Sequence, residues 1–294
     1  MKRSLLVLFV LLGLSACSFA ADVHCVRGSL SSDNALWDGY RLQMAPDSDH
    51  PDQCHAAVLD PGGKAIFELS APEIWMLPVS GSDVNADDKK DLVLESVSAS
   101  PCCYRYSIIT PGDTPAVIRE VVTTPRLSFG DRDGTGHIDI TAHEVVYLGI
   151  DGLDRDASPT PMVVLRMRGS SFYPVSQVFW ADYERDIEQA KAGVPQSAFD
   201  KFFGKPNAAD QDKPKEPSEE DLRAIRQAKA AVLAIYLDQI YGGRPQLAMK
   251  TMSDMWPDRD KDRIRQIILS LRMRGVMAEI NRPVPGSSPA PPVP

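Results

Sequence analysis

Two short acidic runs carry the residue types and spacing best suited to chemistry. Asp83-Val84-Asn85-Ala86-Asp87-Asp88-Lys89-Lys90-Asp91 sets oxygen-bearing side chains at its first, third, fifth and ninth positions. Asp131-Arg132-Asp133-Gly134-Thr135-Gly136-His137-Ile138-Asp139 repeats the spacing with Asp131, Asp133, Thr135 and Asp139. A tight loop turns alternate side chains inward, and a hard cation such as Ca2+ collects about six to eight oxygens at about 2.3–2.6 Å. The seventh position, Lys89 in one run and His137 in the other, would add a backbone carbonyl. The expectation is structural Ca2+ at one or two sites. Each run departs once from the ideal. Asp88 stands where Gly136 gives the second run its sharp turn, and Thr135 is a weaker ligand than a carboxylate. An acidic turn without metal is the plain alternative. An EF-hand is excluded, because no helical pattern precedes either run and neither has Glu at its twelfth position.

Other chemistry is hard to find. The chain has no GxSxG, HExxH, phosphate-binding glycine loop or dinucleotide fingerprint. Its histidines are His24, His50, His55, His137 and His143. His143-Glu144 could pair a general base with its partner, but reads better as a polar step at a strand edge. His50 and His55 flank Cys54 in an acidic stretch and read as solvated. Trp37-Asp38-Gly39-Tyr40 and Trp75 could line a sugar site; burial in a core is the simpler reading. No His–Cys spacing resembles a zinc site. With 32 basic against 40 acidic residues, the chain lacks the cationic surplus that general nucleic-acid binding requires.

The N-terminus is an address. Lys2 and Arg3 precede the apolar run Leu5 to Leu14, so residues 1–20 read as a secretion signal. Leu14-Ser15-Ala16-Cys17 matches a bacterial lipobox, in which Cys17 is lipidated; cleavage after Ala20 is the alternative. Ser18 after that cysteine suggests a periplasmic, outer-membrane lipoprotein, held by acyl chains. Cys25, Cys54, Cys102 and Cys103 then suit an oxidising compartment, and four cysteines allow three pairings. Cys25–Cys54, which would close a 30-residue loop, is favoured; it leaves the neighbours Cys102 and Cys103, whose bond would be strained, and the crossed pairings that avoid this strain stay open.

The elements that must position these residues fall into two parts. Short β-branched and aromatic runs recur from residue 22 to 176: Ala56–Leu59, Ala65–Leu69, Leu92–Leu94, Tyr104–Ile109, Ala116–Val122, Ile138–Ile140, Glu144–Leu148 and Met162–Met167. Asp60-Pro61-Gly62-Gly63 and Arg168-Gly169-Ser170-Ser171 read as turns. Helical spacing begins in a connection over 177–204, with Tyr183, Ile187 and Ala190. Residues 205–217 are a polar, Pro-bearing linker. Ser218 caps a long helix that Gly242-Gly243 stops. Arg244-Pro245 opens another, and a final helix runs from Asp258 to Glu279, completing a helical domain over 218–281. The tail, 282–294, is rich in Pro and Ser and reads as disordered. The fold class is therefore α+β: a mainly antiparallel β unit followed by an α-helical bundle.

The two acidic runs, each passing into an apolar strand, resemble the FG-GAP or VCBS repeat, the integrin-like calcium-loop motif of β-propeller blades. Phe129-Gly130 before Asp131 adds to the likeness. With Cys102-Cys103-Tyr104 between the runs and helices after them, residues 54–279 are similar to a group of bacterial envelope proteins that carry such repeats. The resemblance implies a partial, propeller-like β unit with structural calcium and implies no activity; two repeats are too few to close a propeller. The functional expectation is a non-enzymatic, lipid-anchored envelope protein that binds a protein or glycan, with inhibition of a peptidoglycan hydrolase as a special case. The alternatives are a hydrolase of envelope glycans using unrecognised carboxylates, and a structural envelope protein.

Overall fold

The computed structural model describes residues 23–28, 32–97, 103–111, 116–204 and 218–283. The signal segment, Cys17, Cys102, the linker at 205–217 and the tail from 284 lie outside the described residues. The β part consists of three antiparallel sheets laid down in chain order. The first is a meander of β1 (Ser32–Ala35), β2 (Arg41–Pro46), β3 (Cys54–Leu59) and β4 (Ala65–Ala71). The second is β5 (Glu73–Met76), β6 (Leu92–Val97), β7 (Tyr104–Thr110) and β8 (Ala116–Thr123), with the short N-terminal strand His24–Val26 added beside β5. The third is β9 (Ser128–Gly130), β10 (Asp139–His143), β11 (Met162–Arg168) and β12 (Ser171–Pro174).

The middle sheet is apolar on both faces, and its sequence says why. In β6, Leu92 and Leu94 pack with Leu42, Val58 and Cys54 of the first sheet, while Val93 between them packs with Ile140, Val163 and Leu165 of the third. Strand alternation thus sends successive residues into two different cores. Cys25 and Cys54 form a disulfide that ties the N-terminal strand to β3. Closing that loop stabilises by roughly 3–4 kcal/mol on the chain-entropy model. Cys103 is also disulfide-bonded, to a partner outside the described residues.

The helical part contains α1 (Trp180–Ala192), α2 (Gln196–Phe203), α3 (Glu219–Tyr241), α4 (Pro245–Met255), α5 (Lys261–Arg272) and α6 (Val276–Ile280). Ser218 and Asp221 make a reciprocal capping box at the start of α3. Val232, Leu233 and Leu237 of α3 pack with Met252, Trp256, Ile264 and Ile268. No described helix is long and apolar enough to cross a membrane. The molecule is α+β, and the sheets do not close into a propeller ring.

Two expectations are corrected. Glu144–Leu148 is a turn rather than a strand, because Tyr147, Ile150 and Leu153 leave the third sheet to enter the helical core. The expected final helix is interrupted at Gly275. A Cβ there would collide with the Glu144 carboxylate, which instead accepts the Val276 N–H at 2.9 Å. The break turns α6 onto β8, where Arg119 donates to the Ile280 carbonyl at 2.9 Å and Glu279 accepts the Thr124 N–H at 2.8 Å.

Candidate metal centre

Both acidic loops join the first two strands of a four-strand meander: 83–91 ends at β6 and 131–139 ends at β10. Their internal hydrogen bonds correspond position by position. The N–H at the second position reaches the ninth-position carboxylate, Val84 to Asp91 at 2.8 Å and Arg132 to Asp139 at 3.0 Å. The fifth- and sixth-position N–H groups reach the first-position carboxylate. Those bonds are Asp87 and Asp88 to Asp83 at 3.1 and 2.8 Å, and Thr135 and Gly136 to Asp131 at 3.1 and 2.9 Å. The fourth and sixth positions are left-handed in both: Ala86 (φ 60°) and Asp88 (φ 64°) match Gly134 (φ 70°) and Gly136 (φ 85°). Asp88 therefore adopts the turn that its lack of glycine put in question, at a strain of about 1–2 kcal/mol. Asp91 and Asp139 are both fully buried.

Charge separates the two loops. In the second, the carboxylates of Asp131, Asp133 and Asp139 converge to within 4.8 Å of one another. Arg166 of β11 lies across two of them, its Nε donating to Asp139 Oδ1 at 2.7 Å and its terminal nitrogen to Asp133 Oδ2 at 2.7 Å. The Thr135 hydroxyl and then this guanidinium lower the Asp133 carboxyl to about 2. The register explains the contact: Ile140 pairs with Leu165, so Asp139 faces Arg166 across the strands. In the first loop Leu92 pairs with Ile109, so Asp91 faces Thr110, whose hydroxyl donates to its Oδ1. Among the described residues no basic side chain forms an ion pair with Asp83, Asp87 or Asp91. Burial first, and then the charges of Asp87 and Asp83, push the Asp91 carboxyl up to about 6.

The first loop also holds an orphan. Asn85 is 2% exposed, and its Oδ1 has no hydrogen-bond partner. Its backbone carbonyl is engaged separately, by the Gly169 N–H of the β11–β12 turn at 2.8 Å. A buried amide oxygen without a donor costs about 1–3 kcal/mol. An acceptor left over beside carboxylates that have no basic partner among the described residues fits a cation, although only the Asp131 group brings its carboxylates within 4.8 Å of one another. Asp83, Asn85, Asp87, Asp91 and the Lys89 carbonyl are the atoms that would hold it. The carboxylate oxygens converge in the second loop and not in the first, but two of the second loop's carboxylates already share the Arg166 charge. Between the loops lies a cleft of about 510 Å³ lined by Asp83, Ala86, Asp88, Thr135, His137 and Tyr173.

The remaining candidates lie apart. The His143 ring bonds the Thr160 carbonyl at 3.1 Å, while Glu144 caps α6, so the two do not form a dyad. His55 bonds Ser70, and Trp75 stacks on His24. Trp37 packs against the first core. Arg166 was missed by local spacing, since it lies 27 residues from Asp139; cross-strand pairing of opposite charges was the signal available for it. No family model, no curated protein and no solved structure matches the chain.

Proposed function

We propose that this chain is an exported calcium-binding protein of the bacterial envelope that docks a protein or glycan partner without catalysis. The observation that carries the calcium reading is the buried, unpartnered Asn85 Oδ1 in a loop whose carboxylates have no basic partner among the described residues. Calcium there is structural: it would complete the connection between β5 and β6 rather than activate a substrate. Three successive four-stranded meanders, two of them with a matching loop before their second strand, support a partial propeller of FG-GAP type. Lipidation at Cys17 and outer-membrane placement rest on the lipobox. The acidic surface favours a basic partner, because complementary charge speeds association.

Calorimetric titration of the mature chain, from residue 22, with CaCl2 tests the reading. The expected result is saturable binding at one site that Asp87→Ala removes. Absence of binding in chelator-stripped protein would return the loops to plain acidic turns. A pull-down from envelope extract then tests the docking role, and turnover of peptidoglycan by the purified chain would overturn it.

A further inference from the structure

Away from both loops, one largely buried acidic residue has no basic partner among the described residues. Asp238 of α3 is 8% exposed, and its carboxylate has no hydrogen bond or ion pair among the described residues. Its surroundings are a cleft of about 360 Å³ between α1, α3 and the chain leading into β11, lined by His143, Thr160, Pro161, Asp186, Gln189 and Ala234 among others. The charge acting on it is that of Asp186 on α1, which is of the same sign. Burial and then Asp186 push the Asp238 carboxyl up to about 7. A carboxylate on a largely buried residue with an exposed second carboxylate nearby is disfavoured in its charged form, and asparagine or alanine would avoid the cost. Among the described residues no positive charge answers it.

The site's shape selects among cations. Asp238, Asp186 and His143 do not bring their ligand atoms within 4.8 Å of one another, as the Asp131 group does, so they are not a preformed metal cage. The cleft is much larger than an ion, and Pro159, Pro161, Met162, Ala190 and Ala234 give it apolar walls beside the two acids. His143 donates from Nδ1 to the Thr160 carbonyl, which leaves its Nε2 as an acceptor in the neutral ring. An ammonium group has three donors on a compact centre, and an alkyl stem behind it suits the apolar walls.

We propose that this cleft binds a primary ammonium group on a short apolar stem, with Asp238 and Asp186 as its counter-charges. A free diamine and a lysine side chain of a peptide carry the same chemistry. The inference is independent of calcium binding.

The experiment is titration of the mature chain, in chelator and at about pH 8, with cadaverine and separately with an acetyl-Gly-Lys-Gly-amide peptide. That pH lies above the value of about 7 to which burial raises Asp238, and a primary amine is still protonated there. The expected result is saturable binding with Kd of about 1 mM or tighter, weakened at least about tenfold by Asp238→Asn. That substitution removes a buried charge at constant shape, so it leaves the melting temperature equal or higher. Ala234→Leu stands one helical turn from Asp238 on the same face and blocks the cleft with both acids intact. It is expected to abolish binding too. 1-Pentanol, the stem without the charge, does not bind. Binding of the peptide alone identifies a lysine side chain as the ligand, and binding of cadaverine identifies a diamine as sufficient. No saturable binding of either probe, or binding indifferent to both substitutions, overturns the proposal. In a parallel titration without chelator, displacement of the amine by equimolar MgCl2 or CaCl2 would overturn it in favour of a metal.

Discussion

Loops 83–91 and 131–139 share a backbone but not a charge state, and one strand position accounts for the difference. The residue facing the ninth-position aspartate is Thr110 in the second sheet and Arg166 in the third. Both are within hydrogen-bonding reach of that aspartate, yet only Arg166 cancels its charge. The same turn can therefore be completed in two ways, by a cation from solution or by one supplied from the neighbouring strand. It follows that the spacing of carboxylates identifies the loop, while the cross-strand partner decides what the loop needs.

Exchange of that residue is the strongest way to break the comparison. Arg166→Thr leaves Asp139 buried without its guanidinium. Removing one member of such a pair costs about 3 kcal/mol, read as a lower melting temperature in chelator. The variant should also bind one more calcium than the wild type, and calcium should recover much of the loss. Unchanged stability in chelator would mean that Arg166 does not balance the loop. Unchanged stoichiometry would mean that the third sheet cannot hold the ion.

How far the residues announced this arrangement follows from the range of each interaction. The loops were legible because their defining bonds span at most seven residues, Val84 to Asp91 and Arg132 to Asp139. Cys25–Cys54 was the favoured of three pairings that the sequence left open, and the structure forms it. The α+β division followed from the change of period near residue 180. Arg166 was not legible, because its contact depends on the register of β11 against β10, which no local pattern states. Glu144–Leu148 misled for a related reason: its β-branched residues suit a strand, but Tyr147 is drawn into the helical core. The break at Gly275 likewise reflects a carboxylate far away in sequence.

Calcium addition should give the next largest effect. At a hundredfold excess over Kd, binding to the native state alone adds about 2.7 kcal/mol, or roughly 5–10 °C in melting temperature for a chain of this size. Asp87→Ala should remove the shift, whereas Asp133→Ala should lower the baseline and keep it. The reverse pattern would move the ion to the third sheet and invert the comparison.

The third-sheet loop also has a firmer seat. Its strand β10 runs directly into Glu144, which holds α6, and Arg132 reaches Asp182 of α1 at 2.8 Å. Glu144→Ala leaves the buried Val276 N–H unpaired and should cost about 2 kcal/mol by denaturant unfolding, equally with and without calcium. Burial raises the Glu144 carboxyl. Its contribution is therefore fully present below the ordinary carboxylate range and is lost as pH rises through the raised value. The wild type should gain stability over Glu144→Gln as pH falls through that window. A difference that does not change with pH would show that the group is not shifted by folding.

Asn85→Leu gives the smallest effect and the sharpest one, because its sign depends on calcium. The amide oxygen is buried without a donor, so in chelator an apolar side chain of similar volume removes a desolvation cost and should stabilise by about 1 kcal/mol. In calcium the same substitution removes a ligand and should leave the variant less stable than the wild type by most of the calcium increment. The two melting curves would then cross between the two conditions. Destabilisation in both would make Asn85 a packing residue whose amide is satisfied in solution. Stabilisation in both would leave its oxygen with no cation to serve, and the first loop would then resemble the second in needing no ion from solution.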